Sequence, residues 1–579
     1  MSAQAAESAT HVDGRSVEEP PVADRAEAAI GRIAALLAGG ELVAVGYSGG
    51  KDSSVVLGLA LQAWQRVRAG GTRPHQLLVV SGDTGIENPV VQRVLEENHA
   101  MLADYASAQG VDIETEMARP NLAERYLVQL ISGRALPTWT NTPHRSCSVS
   151  LKVVPGSRTI RLAAQRLLGA VAKSRPPVVL VGSRVAESAA RARNMTARGL
   201  SDGRKSASGH GTRTVAPIAD WSSDDVWEWL ACAGADAAPP FTAWRENFDE
   251  IVELYRDASG ECPVVMGDRG PRSACGARHG CALCTASGAR DASLETMLEH
   301  PKHRHLQGLN DLRNWLAASQ HRWDLRAGLT RKRADDRETL FAGVGTYRPE
   351  VCADLLRMCL SLDVLERDRA AGFAARQDAG YPGDVYLSAL ELDGKPEDTA
   401  YARRMRDPQF RLIDLEALIA IDYYWSLNGM HPPFEALRIY RDVCRERRLM
   451  AVPALDPGDP DARPGSAEIP APGLWDRDGL RDHSAETVMP ETHHPRRQGR
   501  VWVMPYEEAR SLAVDTEAAT LWILTDLDGL IADHEGLKPF AAAVFYLRNR
   551  IVAPIQGRAG MISDIAQRGQ WVSERGGWS

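Results

Sequence analysis

"ELVAVGYSGGKDSS", residues 41–54, places an apolar run directly before a turn rich in glycine and serine. The run predicts a strand, and residues 53–69 predict a helix. A glycine-rich turn between a parallel strand and a helix exposes backbone N–H groups at the positive helix end, where phosphate can bind. The candidate phosphate-binding residues are Ser48, Gly49, Gly50, Lys51, Asp52, Ser53 and Ser54. Their order lacks the G-x-x-x-x-G-K-[ST] spacing of enzymes that transfer a γ-phosphate.

Further apolar runs alternate with helix-like segments. "QLLVVSGD" (76–83) and "PVVLVGS" (177–183) predict strands, and residues 89–109 and 159–173 predict helices. Strands that are apolar throughout and separated by helices indicate a parallel sheet covered on both faces. The sequence therefore predicts a doubly wound α/β domain with a mostly α-helical C-terminal region. The predicted boundaries are a mobile tail (1–25), the α/β domain (26–260), a cysteine-rich segment (261–300) and a helical region (301–579) with a Pro-rich excursion near 452–498.

Composition narrows the class of protein. The chain has 579 residues and a net charge of −8, and it contains no apolar run long enough to span a membrane. Its first residues are acidic and lack the apolar segment of a signal peptide, so we expect a cytoplasmic protein without a membrane partner. Nine cysteines in that compartment favour metal or sulfur chemistry over disulfides.

Four cysteines form a C-x12-C-x5-C-x2-C array, Cys262, Cys275, Cys281 and Cys284. Four soft ligands in one glycine-rich loop suit zinc or an iron–sulfur cluster. By contrast, Cys232, Cys352, Cys359 and Cys444 lie on apolar helical segments and are predicted to be packing residues.

Cys147 lies apart from that array, beside His144, Arg145 and Lys152. Nearby positive charge favours a reactive thiolate, so Cys147 is a candidate carrier of persulfide sulfur. Two other interpretations stay open, a packed cysteine and a cluster ligand in place of Cys262.

Several short motifs carry a family resemblance. The turn at 48–54 resembles the PP-loop of the ATP pyrophosphatase superfamily. "SGDTGIENP" (81–89), the Gly182–Arg184–Glu187–Ser188–Arg191 segment and "APIADW" (216–221) resemble its sulfate-assimilation reductase branch. The resemblance implies an adenine nucleotide alpha hydrolase-like fold that binds ATP and Mg²⁺, with Asp52 and Asp83 near nucleotide or metal. It also implies cleavage of ATP between its α- and β-phosphates.

Four features follow one another along the chain: the PP-loop, Cys147 with "SLK", the Arg184 segment and the cysteine array. This order resembles the DndC family of DNA phosphorothioation sulfurtransferases, with SspD as a close relative. This implies a [4Fe–4S] cluster rather than zinc, a cysteine desulfurase partner, companion phosphorothioation proteins and DNA as substrate. The implied catalytic residues are Cys147, Lys51, Asp52, Arg184 and Arg191.

Charge along the chain provides a separate indication of a polyanion partner. Residues 158–213 hold twelve Lys/Arg against two acidic residues, and residues 302–333 hold eight against two. A tRNA-thiolating PP-loop enzyme and a nucleotide-sensing DNA-binding subunit without turnover remain alternatives. Reduction of phosphoadenylyl sulfate fits less well, because the end "RGGWS" lacks a cysteine tail.

Overall fold

The computed structural model describes most of the chain outside the termini and several internal segments. The described residues are 20–137, 146–187, 189–200, 207–209, 212–233, 244, 248–259, 280–327, 329–333, 340–342, 346–380, 384–389, 399–459, 461, 474–475, 480–481 and 512–554.

A six-stranded sheet organises the N-terminal half, in the order β3-β2-β1-β4-β6-β5. Five strands are parallel, and the edge strand β5 runs antiparallel to β6. This confirms the predicted α/β fold. The strands are β1 (Val43–Gly46), β2 (Leu77–Gly82), β3 (Ile113–Ala118), β4 (Val178–Leu180), β5 (Ala207–Gly209) and β6 (Thr212–Val215).

Helices cover both faces of this sheet. The helices of this half are α1 (Val22–Ala38), α2 (Lys51–Ala69), α3 (Pro89–Gln109), α4 (Tyr126–Ile131), α5 (Ser146–Ser148), α6 (Val154–Leu168), α7 (Ala189–Ala197), α8 (Ser223–Cys232) and α9 (Asp249–Ser259). A π-helical stretch, Val149–Val153, joins α5 to α6.

Alternate residues of each central strand face opposite layers, as strand geometry requires. Val43 and Val45 pack in one core with α1, α2 and α8, whereas Ala44 packs in another with α6. The two cores explain why these strands are apolar throughout. Helix α1 begins at Val22, so residues 22–25 are helical rather than part of the predicted tail.

The second half is mostly helical, as predicted. Its helices are α10 (Ala292–Glu299), α11 (Gln307–Ala318), α12 (Pro349–Asp378), α13 (Val385–Ala389), α14 (Ala400–Met405), α15 (Leu415–Leu427), α16 (Glu435–Tyr440), α17 (Thr516–Ala519), α18 (Leu527–Asp533) and α19 (Phe540–Arg548). Short strands, which the sequence did not predict, are β7 (Leu329–Arg333), β8 (Leu340–Ala342), β9 (Leu474–Trp475), β10 (Leu480–Arg481), β11 (Leu512–Val514) and β12 (Val552–Pro554).

One helix of the N-terminal half belongs to the core of the second half. Leu127, Leu130 and Ile131 of α4 pack in the same cluster as residues of α12, α15 and α19. The Trp425 Nε1–H group donates to the Ile131 carbonyl at 2.9 Å. The linear boundary predicted at residue 260 therefore does not separate the cores. None of the helices in the described ranges has the length and apolar character needed to cross a bilayer.

Candidate nucleotide and cysteine site

The predicted phosphate-binding turn lies between β1 and α2. Gly49 has a φ of 71°, in the left-handed region that glycine adopts without strain. Gly50 is the N-cap of α2 and provides no side-chain cap. The first N–H groups of a helix have no intrahelical partner, so this end of α2 presents donors and a positive dipole to an anion.

The three serines have unequal roles in the turn. Ser53 Oγ donates to the Gly50 carbonyl at 2.9 Å and accepts from the Ser48 N–H at 3.2 Å. Ser54 is fully buried, and its hydroxyl donates to the Gly50 carbonyl at 3.1 Å. Ser54 was predicted to donate to phosphate. In the structure its buried hydroxyl donates to the backbone of the turn and stabilises it.

An ion-pair chain fixes the charged side chains of the turn. Asp52 is bound by Lys51, 2.9 Å from Nζ to Oδ2, and by Arg184, 2.6 Å from Nε to Oδ1. Arg184 is 3% exposed and also donates to the Trp221 carbonyl. The structure thus places Arg184 behind the turn, where it orients Asp52. Arg191 lies in α7, and its side chain lies outside the described part.

Gly182, after β4, permits the close approach of that strand to the turn. A Cβ atom there would lie 2.7 Å from the Asp52 carbonyl carbon and 2.9 Å from the Ser53 nitrogen, and both are backbone atoms that cannot easily move. Neighbouring Gly46 has no such constraint, since its Cβ would be 3.5 Å from the nearest atom, the Leu180 oxygen.

We expect Gly182→Ala to weaken ATP binding about tenfold, because overpacking of about 1–3 kcal/mol must displace the start of α2. Isothermal titration with a non-hydrolysable ATP analogue measures the effect. Gly46→Ala is the matched control and should bind nearly as the wild type does. Equal affinity of the two variants would contradict the role assigned to this close approach.

Tyr255 of α9 is a site residue that the sequence analysis missed. Its hydroxyl would lie 3.4 Å from a Cβ built on Gly50, and its ring lies 5.6 Å from the Lys51 Nζ. Trp227 packs edge-on against that ring. Tyr255 therefore stands over the turn, although nothing in the local sequence of α9 marks it as a binding residue.

The loop after β2 carries the next predicted residues. Asp83 accepts from the Gly85 N–H at 2.8 Å and from Arg119 Nε at 2.9 Å. Since β1 and β2 are parallel neighbours, Asp83 and the phosphate-binding turn lie at the same sheet edge. Its role near nucleotide or Mg²⁺ stays a prediction.

The same loop contacts the cysteine-rich segment. Cys281 forms a β-bridge with Glu87, and its Sγ lies 3.5 Å from Thr84 Oγ1 and 3.7 Å from Glu87 Oε1. Lys152 Nζ is 2.9 Å from Glu87 Oε1. Burial and the Glu87 carboxylate raise the pKa of the Cys281 thiol to about 12, although Lys152 and Thr84 act in the opposite direction.

The remaining described cysteines of interest lie close to this group. Cys284 influences the pKa of Lys152, and both Cys147 and Cys284 influence the pKa of buried Tyr126, which burial raises. Cys147 and Cys281 both pack against the core that contains Tyr126, and Cys284 lies in the same turn as Cys281. Lys152, predicted to favour a thiolate at Cys147, forms its ion pair with Glu87 instead.

Two of the four array cysteines, Cys262 and Cys275, lie outside the described residues. Cys281 and Cys284 share one turn, closed by the Cys284 N–H donating to the Cys281 carbonyl at 3.0 Å. Their soft donors and spacing fit two ligands of a thiolate-bound metal or cluster. Within the ranges described, no three metal-binding side chains are grouped closely enough to hold an ion.

The four cysteines predicted as packing residues are all buried or half-buried. Cys352 and Cys359 are buried, and Cys232 and Cys444 are half-buried against the two large cores.

Much of the positive charge counted along the sequence is paired in space. Arg166 pairs with Glu114 and Glu116, and Arg175 and Arg213 pair with Glu41. Between 302 and 333, Lys302 and Arg322 pair with acidic residues, and Arg313 and Arg326 are buried. The free charge available to a polyanion is therefore smaller than the sequence count.

Residues 42–242 match the family model of the phosphoadenosine phosphosulfate reductase domain. The match covers about a third of the chain, and this part of the chain is similar to that reductase domain. The matched residues include the phosphate-binding turn, Asp83, Cys147 and Arg184.

Solved structures similar to the chain include NAD+ synthetase from Burkholderia pseudomallei, 22% identical over 36% of this chain and 74% of that chain, with a TM-score of 0.22. Candida glabrata FMN adenylyltransferase in complex with FAD and inorganic pyrophosphate is 11% identical over 45% of this chain and 73% of that chain, with a TM-score of 0.24. Likenesses this distant carry no argument about function. A search of curated proteins gave no match.

Proposed function

We propose that the chain is an ATP pyrophosphatase and sulfurtransferase that replaces a non-bridging oxygen of a DNA phosphate by sulfur. The nucleotide part of the proposal rests on one observation. Helix α2 begins without a side-chain cap just after Gly49, whose backbone is in the left-handed region, within the residues that match the reductase domain. The sulfur and DNA parts are supported by Cys147, which packs against the same core as Cys281, and by the resemblance of the cysteine array to the DndC family.

The first step activates the phosphate. A non-bridging DNA oxygen attacks the α-phosphorus of ATP, a new O–P bond forms, and the bond to the β-phosphate breaks to release pyrophosphate. The N–H groups at the start of α2 and Lys51 hold the departing pyrophosphate. Asp83, at the same sheet edge as the turn, would bind Mg²⁺ or nucleotide, and Arg184 holds Asp52 in position.

The second step inserts sulfur. The terminal sulfur of a Cys147 persulfide, loaded by a cysteine desulfurase, attacks the DNA phosphorus and expels AMP. A thiol then attacks the Cys147 sulfur, which breaks the S–S bond, leaves sulfur on phosphorus and places Cys147 in a mixed disulfide. A second thiol reduces that disulfide. Activation is needed because AMP leaves phosphorus far more readily than an oxyanion does.

A [4Fe–4S] cluster would be held by Cys281 and Cys284 together with Cys262 and Cys275, or with Cys147 in place of Cys262. Such a cluster supplies electron transfer or a site for labile sulfur. The chain's own contribution is the turn that holds Cys281 beside Thr84 and Cys284 three residues further on.

Mass spectrometry of DNA from cells with and without this chain tests the proposal. We expect phosphorothioate-linked dinucleotides only when the chain and its companion proteins are present. Sulfur in tRNA bases instead would favour the tRNA-thiolating alternative. Binding of ATP and DNA with no pyrophosphate release in the presence of desulfurase would favour the nucleotide-sensing alternative.

Lys51→Met should lower the rate of pyrophosphate release about 100-fold, because a preorganised cation at the leaving group is lost from the site. A coupled pyrophosphate assay with DNA and desulfurase present measures the rate. Lys538→Met removes an exposed lysine of the second half and serves as the control. If Lys51→Met released pyrophosphate at a rate within about twofold of the control rate, that result would contradict the role of Lys51.

A further inference from the structure

Arg313 of α11 is a buried guanidinium directly behind the Cys281–Cys284 turn. It is 0% exposed. Its Nε donates to the Cys284 carbonyl at 3.0 Å, and its Nη1 donates to the Ala289 carbonyl at 2.6 Å. Its Nη2 donates to Ser287 Oγ at 2.9 Å and to the Gly288 carbonyl. One side chain thus fixes the backbone that follows both cysteines.

These contacts use the N–H groups of Arg313 as hydrogen-bond donors but give its charge no directly bonded counter-charge. All of its acceptors are neutral, and no carboxylate in the described residues pairs with it. Asp291, Cys284 and Glu295 act on it only electrostatically, against the burial that lowers its pKa. A buried cation that forms no direct ion pair is unfavourable, so a further negative charge beside Arg313 would stabilise it.

Cysteines that bind metal do so as thiolates, which are anions. We propose that Arg313 is a positioning residue that holds the Cys281–Cys284 turn and balances the negative charge of a metal–thiolate centre there. The inference rests on the cysteine centre of the proposed function, and it requires neither ATP nor DNA. It gives a reason for a fully buried arginine that donates to the Cys284 carbonyl and to the backbone just after it.

Zinc affinity of the reduced full-length chain tests the inference, with Zn²⁺ alone as the probe and a chromophoric chelator as competitor. Arg313→Gln should weaken Zn²⁺ binding about 10- to 100-fold, the usual effect of losing a residue that supports metal ligands. Arg313→Lys keeps the charge and should restore part of the affinity. If a [4Fe–4S] centre is assembled, Arg313→Gln should also make its reduction potential more negative, because a nearby positive charge is lost.

Arg326→Gln is the matched control. Arg326 is 3% exposed and donates to the Ser319 and Gln320 carbonyls, away from the cysteines. It should lower the melting temperature and leave Zn²⁺ affinity unchanged. Unchanged affinity in Arg313→Gln, equal losses in both variants, or no Zn²⁺ binding by the wild type would overturn the inference. Pyrophosphate release by the same proteins shows separately whether the nucleotide chemistry of the proposed function holds.

Discussion

Replacing Cys147 with serine is expected to reduce sulfur incorporation into DNA below detection while ATP cleavage continues. The hydroxyl of serine cannot form a persulfide, so the second step loses its sulfur carrier. The phosphate-binding turn belongs to a different core from the one Cys147 packs against, so the first step should remain. Mass spectrometry of the DNA measures sulfur, and a pyrophosphate assay measures ATP cleavage.

Iron content separates the carrier role from the ligand role of Cys147. If Cys147 is the carrier, the serine variant prepared without oxygen keeps its iron and the broad absorption at about 400 nm. If it replaces Cys262 as a ligand, both are lost. Cys232→Ser changes a half-buried cysteine of the other core and is the control. Full sulfur incorporation by Cys147→Ser would show that the persulfide role is wrong.

Asp422→Asn is expected to stabilise the protein near pH 8 and to have little effect near pH 4. Asp422 is buried in α15, where Oδ1 accepts from the Ala436 N–H at 2.8 Å and Oδ2 from the Tyr546 hydroxyl at 2.7 Å. Burial raises its pKa to about 7. Asparagine keeps an oxygen for Ala436 and an amide group for the Tyr546 oxygen, but it carries no charge.

The direction follows from proton linkage. Between about pH 4 and pH 7 the folded chain keeps a proton on Asp422 that the unfolded chain has released, so stability falls as pH rises. Raising a carboxyl pKa from about 4 to about 7 corresponds to about 4 kcal/mol, which is the upper limit of the gain at pH 8. Asp363, whose pKa burial also raises to about 7, should leave a residual pH dependence in the variant.

Asp257→Asn is the matched control with the opposite sign. Burial alone would raise the pKa of Asp257, but hydrogen bonds from His303 and Lys302 outweigh it and lower the pKa to about 2. This carboxylate stabilises the fold above about pH 4, so Asp257→Asn should destabilise the protein at pH 8. Urea unfolding at both pH values measures all three proteins. An Asp422→Asn variant less stable than the wild type at pH 8 would contradict the account.

The central sheet could be predicted because β1, β2 and β4 are buried on both faces and therefore read as continuous apolar runs. Strands β3 and β6 escaped prediction, since their sequences, "IETEMA" and "TRTV", alternate with polar residues. The placement of α4 in the second core also escaped prediction. Its apolar residues indicate burial, but their sequence does not say which core buries them.

The site was predictable where one short segment carries the chemistry, as in the turn at 48–54. It was not predictable where the partner comes from a distant segment. Tyr255 reaches the turn from α9, Glu87 reaches Cys281, and Arg313 reaches the cysteine turn from α11. The charge count over 158–213 overstates the unpaired positive charge for the same reason, because Glu41 and Glu114 lie outside that window.

The products formed from ATP labelled at its α-phosphate test the central claim most directly. The chain is incubated with DNA, a cysteine desulfurase, Mg²⁺ and the labelled nucleotide, and the products are separated by chromatography. The account predicts labelled AMP and an equal amount of pyrophosphate. Labelled ADP with inorganic phosphate would contradict it, because the bond between the α- and β-phosphates would then remain intact.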